Sequence, residues 1–191
     1  MISAINNQQQ PAFQAKLKTS WTKMPEADKI AKKFEEATQH YKDDVFEIVA
    51  DKVEKGDTGK TFKCASFLTN GTEVGFMNTF GEFKNFCREH TPEQVAKSLA
   101  KVFKVGKLTE KSNAQASAIH RNLRSANLTL FRAENGAQTR ANQVLADNAH
   151  KRIGALKGDL ADLQDKRIAT KENILKNDPI EFSEAIEKTY I

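Results

Sequence analysis

The chain has 191 residues, 39% of them apolar and 29% charged, with a formal net charge of +5. That length holds one domain, or one small domain with an appendage, and the composition is that of a folded protein rather than a disordered one. No run approaches the roughly 18 apolar residues that a membrane span requires, so no membrane partner is expected.

The first ten residues carry neither a basic leader nor an apolar core, and we read no secretory signal there. The two cysteines, Cys64 and Cys87, fall in different predicted elements without a Cys-x-x-Cys pairing. Reduced thiols and a cytoplasmic location are the expectation. Charge is spread unevenly. Residues 1–106 carry 16 basic and 14 acidic side chains, residues 107–176 carry 13 and 7, and residues 177–191 carry 1 and 4. An excess of +6 therefore sits on residues 107–176, and the tail offsets it by −3.

Residues 1–11 are rich in Asn and Gln, lack periodicity and are expected to fray. Phe13, Ala15, Leu17, Thr19 and Trp21 alternate with polar residues, the two-residue period of a half-buried strand. Pro25 suits the first turn of a helix, and Ala27, Ile30, Ala31, Phe34, Ala37 and Tyr41 follow on one face. Three strands are predicted next, at Val45–Val53, Thr61–Leu68 and Thr72–Phe80. A loop over residues 56–59 and the turn Asn70-Gly71 join them, the latter because both positions tolerate positive φ. This reads as an antiparallel meander whose apolar face the first helix covers.

Helices follow. Phe83, Phe86, Cys87 and His90 fit a short one; Thr91-Pro92-Glu93-Gln94 has the pattern of a capping box and opens another, which Gly106 is expected to end. From about Ser112 a stripe of Ile119, Leu123, Ala126, Leu130 and Ala133 begins a helical arm. Ala146, Ala149, Ile153, Leu156, Leu160 and Leu163 continue it at alternating spacings of three and four, as in a coiled coil. The segment 139–176 would be roughly 55–60 Å long as a helix, so its stripe must lie against another helix. Asn135-Gly136 offers a left-handed stop, which favours a hairpin of about 112–134 against 138–176 over one uninterrupted helix. Asp178-Pro179-Ile180-Glu181 is read as the cap of a last helix bearing Phe182, Ala185, Ile186 and Tyr190.

Few residues suggest chemistry. The run from Gly56 to Thr61 resembles part of a phosphate-binding loop, but Glu54 stands where the first glycine belongs and a strand follows instead of a helix. Cys87 and His90, with Cys64, are the weak candidates for metal ligands. Four ligands are not assembled, and Cys87 lies on an apolar stripe where a thiol behaves as a small hydrophobe. No metal, cofactor or catalytic residue is expected. Arg121, Arg124 and Arg132 fall within a sector of about 80° opposite the Ile119/Leu123/Leu130 stripe, equipment for phosphates or an acidic surface. Leu128 and Phe131 lie off that stripe, as contact residues of a helix do.

The expected fold is α+β. A small antiparallel sheet covered by helices occupies residues 12–106, and a helical arm with a short C-terminal helix occupies 107–191. The expected function is non-enzymatic protein interaction or scaffolding through the arm, either self-association into a homo-oligomer or binding of another protein. Leu128, Phe131, Ile153, Leu156, Leu160 and Leu163 supply the apolar contacts, and the three arginines the electrostatic ones. Nucleic-acid binding through the arginines is the alternative. The absence of interleaved aromatics counts against single-strand binding.

Overall fold

The computed structural model describes residues 15–19, 24, 26–41, 43–55, 60–77, 79–180 and 183–184. The elements run β1 (Lys16–Thr19), α1 (Ala27–Ala37), β2 (Val45–Lys55), β3 (Lys60–Thr69), β4 (Thr72–Met77), α2 (Phe80–Glu89), α3 (Pro92–Glu134), α4 (Arg140–Leu175) and β5 (Ser183–Glu184). They divide into two compact units. Met1–Gly106 and Leu175–Ile191 form a sheet unit, and Lys107–Ile174 form a helical one. The fraying read for 1–11, the strand positions Phe13 and Trp21, Pro25, the 56–59 loop and Phe182 lie outside the described residues, as do residues 185–191.

The sheet unit is α+β. Its strands are ordered β1-β2-β3-β4-β5, and β2, β3 and β4 form the antiparallel meander expected from their alternation. Asn70 (φ 50°) and Gly71 (φ 79°) make the β3–β4 turn, with Thr69 paired to Thr72. β1 pairs with β2 in parallel, so the sheet is mixed. This follows from α1, which connects β1 to β2 and returns the chain in the same direction. The fourth strand stops at Met77. Phe80 instead begins α2, whose capping box is made by Thr79 and Glu82.

Alternation decides which side chains reach the core. Phe46 and Ile48 of β2 stand beside Thr69 and Phe67 of β3 in the pairing register. Stacked and edge-on rings link Phe34 to Phe46 (5.5 Å between centroids), Phe46 to Phe67 (6.1 Å), Phe67 to Phe83 (5.7 Å) and Phe34 to Phe103 (5.7 Å). Thus one aromatic chain ties α1, the sheet, α2 and α3 together, each pair adding about 0.5–1.5 kcal/mol beyond its buried area. In β3 the core-facing residues are Ala65 and Phe67. Cys64, read from sequence with Phe62 and Leu68 as the apolar side, is buried but outside that cluster.

Two helix-boundary signals read from sequence, the stop at Gly106 and the cap at Asp178, do not act as such. Gly106 lies inside α3, which runs on from Pro92 to Glu134 rather than restarting near Ser112. A Cβ at Gly106 would stand 2.7 Å from Thr69 Cβ and 2.8 Å from Val74 Cγ2, closer still to Thr69 Oγ1. The glycine therefore lets the helix lie against the β3–β4 turn. Its cost in a helix interior, about 1 kcal/mol, is too small to break an otherwise continuous run. After α4, Asn177 takes a left-handed conformation (φ 57°) and the chain leaves the helix. Asp178 caps no helix. Its carboxylate is nearly buried and pairs with Lys101 Nζ at 2.9 Å while accepting from Ile180 N at 3.0 Å. Ser183 and Glu184 then pair with Phe76 and Gly75 of β4, a strand where a helix was expected.

In the helical unit α3 and α4 pack together as the hairpin. The turn differs from the expected left-handed stop, because neither Asn135 nor Gly136 has positive φ. Asn135 Nδ2 instead donates to Phe131 O at 2.8 Å, and Thr139 Oγ1 caps α4 by accepting from Asn142 N at 3.2 Å.

Opposite stability changes are expected at two helix glycines. Gly106→Ala should destabilise the protein by about 1–3 kcal/mol through overpacking against Thr69 and Val74. Gly154→Ala in α4, where a Cβ meets nothing within 4 Å, should stabilise it by about 0.5–1 kcal/mol. Urea unfolding of both variants measures this; equal signs would refute the close approach.

Candidate interaction surface

The hairpin's two long helices each bury one stripe. On α3 it runs Ser112, Ala116, Ile119, Leu123, Ala126, Leu130 and Ala133, and on α4 Ala146, Ala149, Ile153, Leu156, Leu160 and Leu163. Both keep steps of three and four, which hold a helix face toward one neighbour. Ser112, Ala126, Ala133 and Ala149 are the buried members; short side chains let the helices come close. Ala146 is half-buried, and Ala141 is exposed. Beside the stripe, His150 Nε2 lies 3.5 Å from a Glu134 carboxylate oxygen.

The predicted contact residues divide in two. Ile153, Leu156, Leu160 and Leu163 face the seam and remain half-buried, because two helices cover only one side of each. Leu128 and Phe131 are 51% and 63% exposed, with Val144, Leu145 and Ile168 also exposed. Sequence reading missed Val144, Leu145 and Ile168. They were detectable as large apolar residues of α4 that lie off its stripe. Arg121, Arg124 and Arg132 are all exposed on α3.

A groove of about 450 Å³ opens along one edge of the hairpin. Ile119 and Leu163 lie along it, flanked by Gln115 and Ala118 of α3 and by Asp159, Asp162 and Lys166 of α4. It thus combines seam apolar groups with two carboxylates and an ammonium group. A second concavity, in the sheet unit, is lined by residues of both signs including Lys29, Lys33, Glu26 and Glu36. These pair internally, Lys29 with Glu26 at 3.1 Å and Lys33 with Glu36 at 2.8 Å. The Lys33 ammonium is held above its ordinary pKa by that hydrogen bond to Glu36.

The cysteines and His90 are not brought together. Cys87 belongs to the core cluster and Cys64 does not, while His90 Nδ1 lies 3.0 Å from Phe86 O with its ring against Phe86. Among the described residues no group of three or more His, Cys, Asp or Glu side chains is arranged to hold a metal ion. Burial pushes the Cys87 thiol up to about 12, so its thiolate is scarce at neutral pH.

No helix among the described residues is long and apolar enough to cross a membrane. No family model matches the chain, and no match to it was found among curated proteins or solved structures.

Neither buried thiol should react with Ellman's reagent until the protein unfolds. At mildly alkaline pH the scarcity of Cys87 thiolate alone slows its reaction roughly a thousandfold against an ordinary cysteine. Prompt labelling of Cys87 in the folded chain would contradict its placement in the core.

Proposed function

We propose that this is a non-enzymatic, cytoplasmic interaction protein whose helical hairpin, a two-helix coiled coil, is the surface that self-associates or binds another protein. One observation carries the reading. Among the described residues the exposed large apolar side chains (Leu128, Phe131, Val144, Leu145 and Ile168) all belong to α3 beyond Gly106 or to α4. Single exposed apolar residues are ordinary; their concentration in one unit is what suggests a contact. The half-buried seam residues Ile153, Leu156, Leu160 and Leu163 add to it, since a further helix against the seam would complete their burial. Removing a leucine of this kind from water contributes up to about 1.5–3 kcal/mol.

The competing reading is nucleic-acid binding through Arg121, Arg124 and Arg132, supported by their exposure and by the basic excess of residues 107–176. The two differ in salt dependence. Phosphate contacts make affinity fall steeply with ionic strength, whereas association through apolar side chains is nearly indifferent to it.

Sedimentation of the full chain at two concentrations and two salt levels, with and without nucleic acid, separates them. The same chain used as bait against extract of its source cells tests for other proteins. The expected result is a concentration-dependent complex, with itself or with a retained protein, weakly sensitive to salt. It should be lost when Leu128, Phe131 and Leu145 are together replaced by Glu. A monomer under every condition, retaining nothing that the triple variant does not also retain, would overturn the reading.

A further inference from the structure

The edge of α4 that borders the groove extends beyond it. Leu145, Arg152, Asp159 and Lys166 recur every seven residues, about 10.5 Å apart, which returns a helix to nearly the same side. Asp159 and Lys166 line the groove; Leu145 (48% exposed) and Arg152 continue the edge toward the hairpin turn. Among the described residues, Arg152, Asp159 and Asp162 make no ion pair within the chain.

This edge is complementary to itself read backwards. Counting outward from Ala155, Arg152 is matched by Asp159, Asn148 by Asp162 and Leu145 by Lys166, each to within one residue. An antiparallel copy centred on Ala155 would set each guanidinium against the partner's Asp159 carboxylate. The exposed Leu145 would then come over the partner's Ile119/Leu163 groove, alongside the methylene stem of Lys166. At the axis Ala155 meets its own counterpart, and a methyl side chain lets two helices approach closely. A parallel arrangement would instead put Arg152 against Arg152 and Asp159 against Asp159.

We propose that the occupant of the groove is a second copy of this chain, packed with its α4 antiparallel along the Leu145–Lys166 edge about a two-fold axis at Ala155. This rests on the reading of the hairpin as a contact surface and names its partner. Such an interface is isologous, so every contact is made twice and the assembly closes at a dimer.

The test is sedimentation equilibrium of the full chain from micromolar to near-millimolar concentration, with three variants. Arg152→Glu should weaken the dimer roughly tenfold or more by setting like charges together. Arg152→Glu combined with Asp159→Arg should restore it. Ala155→Cys should form an interchain disulfide on mild oxidation, whereas Ala161→Cys, on another side of α4, should not. A dimer that resists Arg152→Glu and forms no Ala155→Cys bridge, yet dissociates when Leu128, Phe131 and Leu145 become Glu, overturns this geometry but leaves the contact surface standing. A dimer indifferent to all of these changes overturns both. A chain that stays monomeric throughout overturns the second copy as occupant, and proteins retained from extract then decide the broader reading.

Discussion

The continuity of α3 is the constraint on which the rest of the structure depends. Its first turns serve the sheet unit, where Val95, Ala96, Leu99, Ala100, Val102, Phe103 and Val105 are all buried. Beyond Gly106 the same helix shows the single stripe of a hairpin partner. One helix thus changes from burial on several sides to burial on one without a break. The change is legible as a shift in composition, from closely spaced apolar residues to one at every third or fourth position. Backbone hydrogen bonding does not sense that shift, so the helix continues through it.

What makes the sheet unit specific is its aromatic chain. Phe46 is stacked between Phe34 and Phe67, and Phe103 meets Phe34, Phe46 and Tyr41 edge-on at 5.7, 6.0 and 4.9 Å. Rings with preferred mutual angles restrict the positions of α1 and α3 over the sheet more than branched aliphatics would. The segment after α4 is held by charge instead. Lys101 pairs with the nearly buried Asp178 and also donates to Lys176 O at 3.3 Å. A carboxylate removed from water needs such donors, and this pair sets where the chain turns toward β4.

The helical unit is organised by the opposite economy. Its buried residues are mainly alanines, its leucines are only half covered, and its larger apolar side chains include five that face water. Two helices have too little mutual surface to enclose a leucine seam. Packing that is incomplete within one chain is the physical basis for reading the hairpin as a surface that meets another. Its charges fit the same view, since Arg152 and Asp159 lie seven residues apart along one edge with no ion-pair partner among the described residues.

Sequence alone determined the elements whose signals are local. The strand alternation of β2, the Asn70-Gly71 turn, the capping box of Thr91 and Gln94, and the three-and-four spacing of the hairpin stripes each depend on residues within one turn or one strand pair. The α+β class and the packed pair of long helices followed from them. Tertiary structure decided what depends on distant neighbours. Gly106 became a point of close approach because Thr69 and Val74 occupy the space beside it. Asp178 became an ion-pair partner because Lys101 reaches it, and Ser183–Glu184 became a strand because β4 offered an unpaired edge. The groove beside Ile119 and Leu163 likewise exists only where two helices distant in sequence lie side by side. A local pattern records the preference of a segment, and only the assembled chain reveals which neighbour that segment meets.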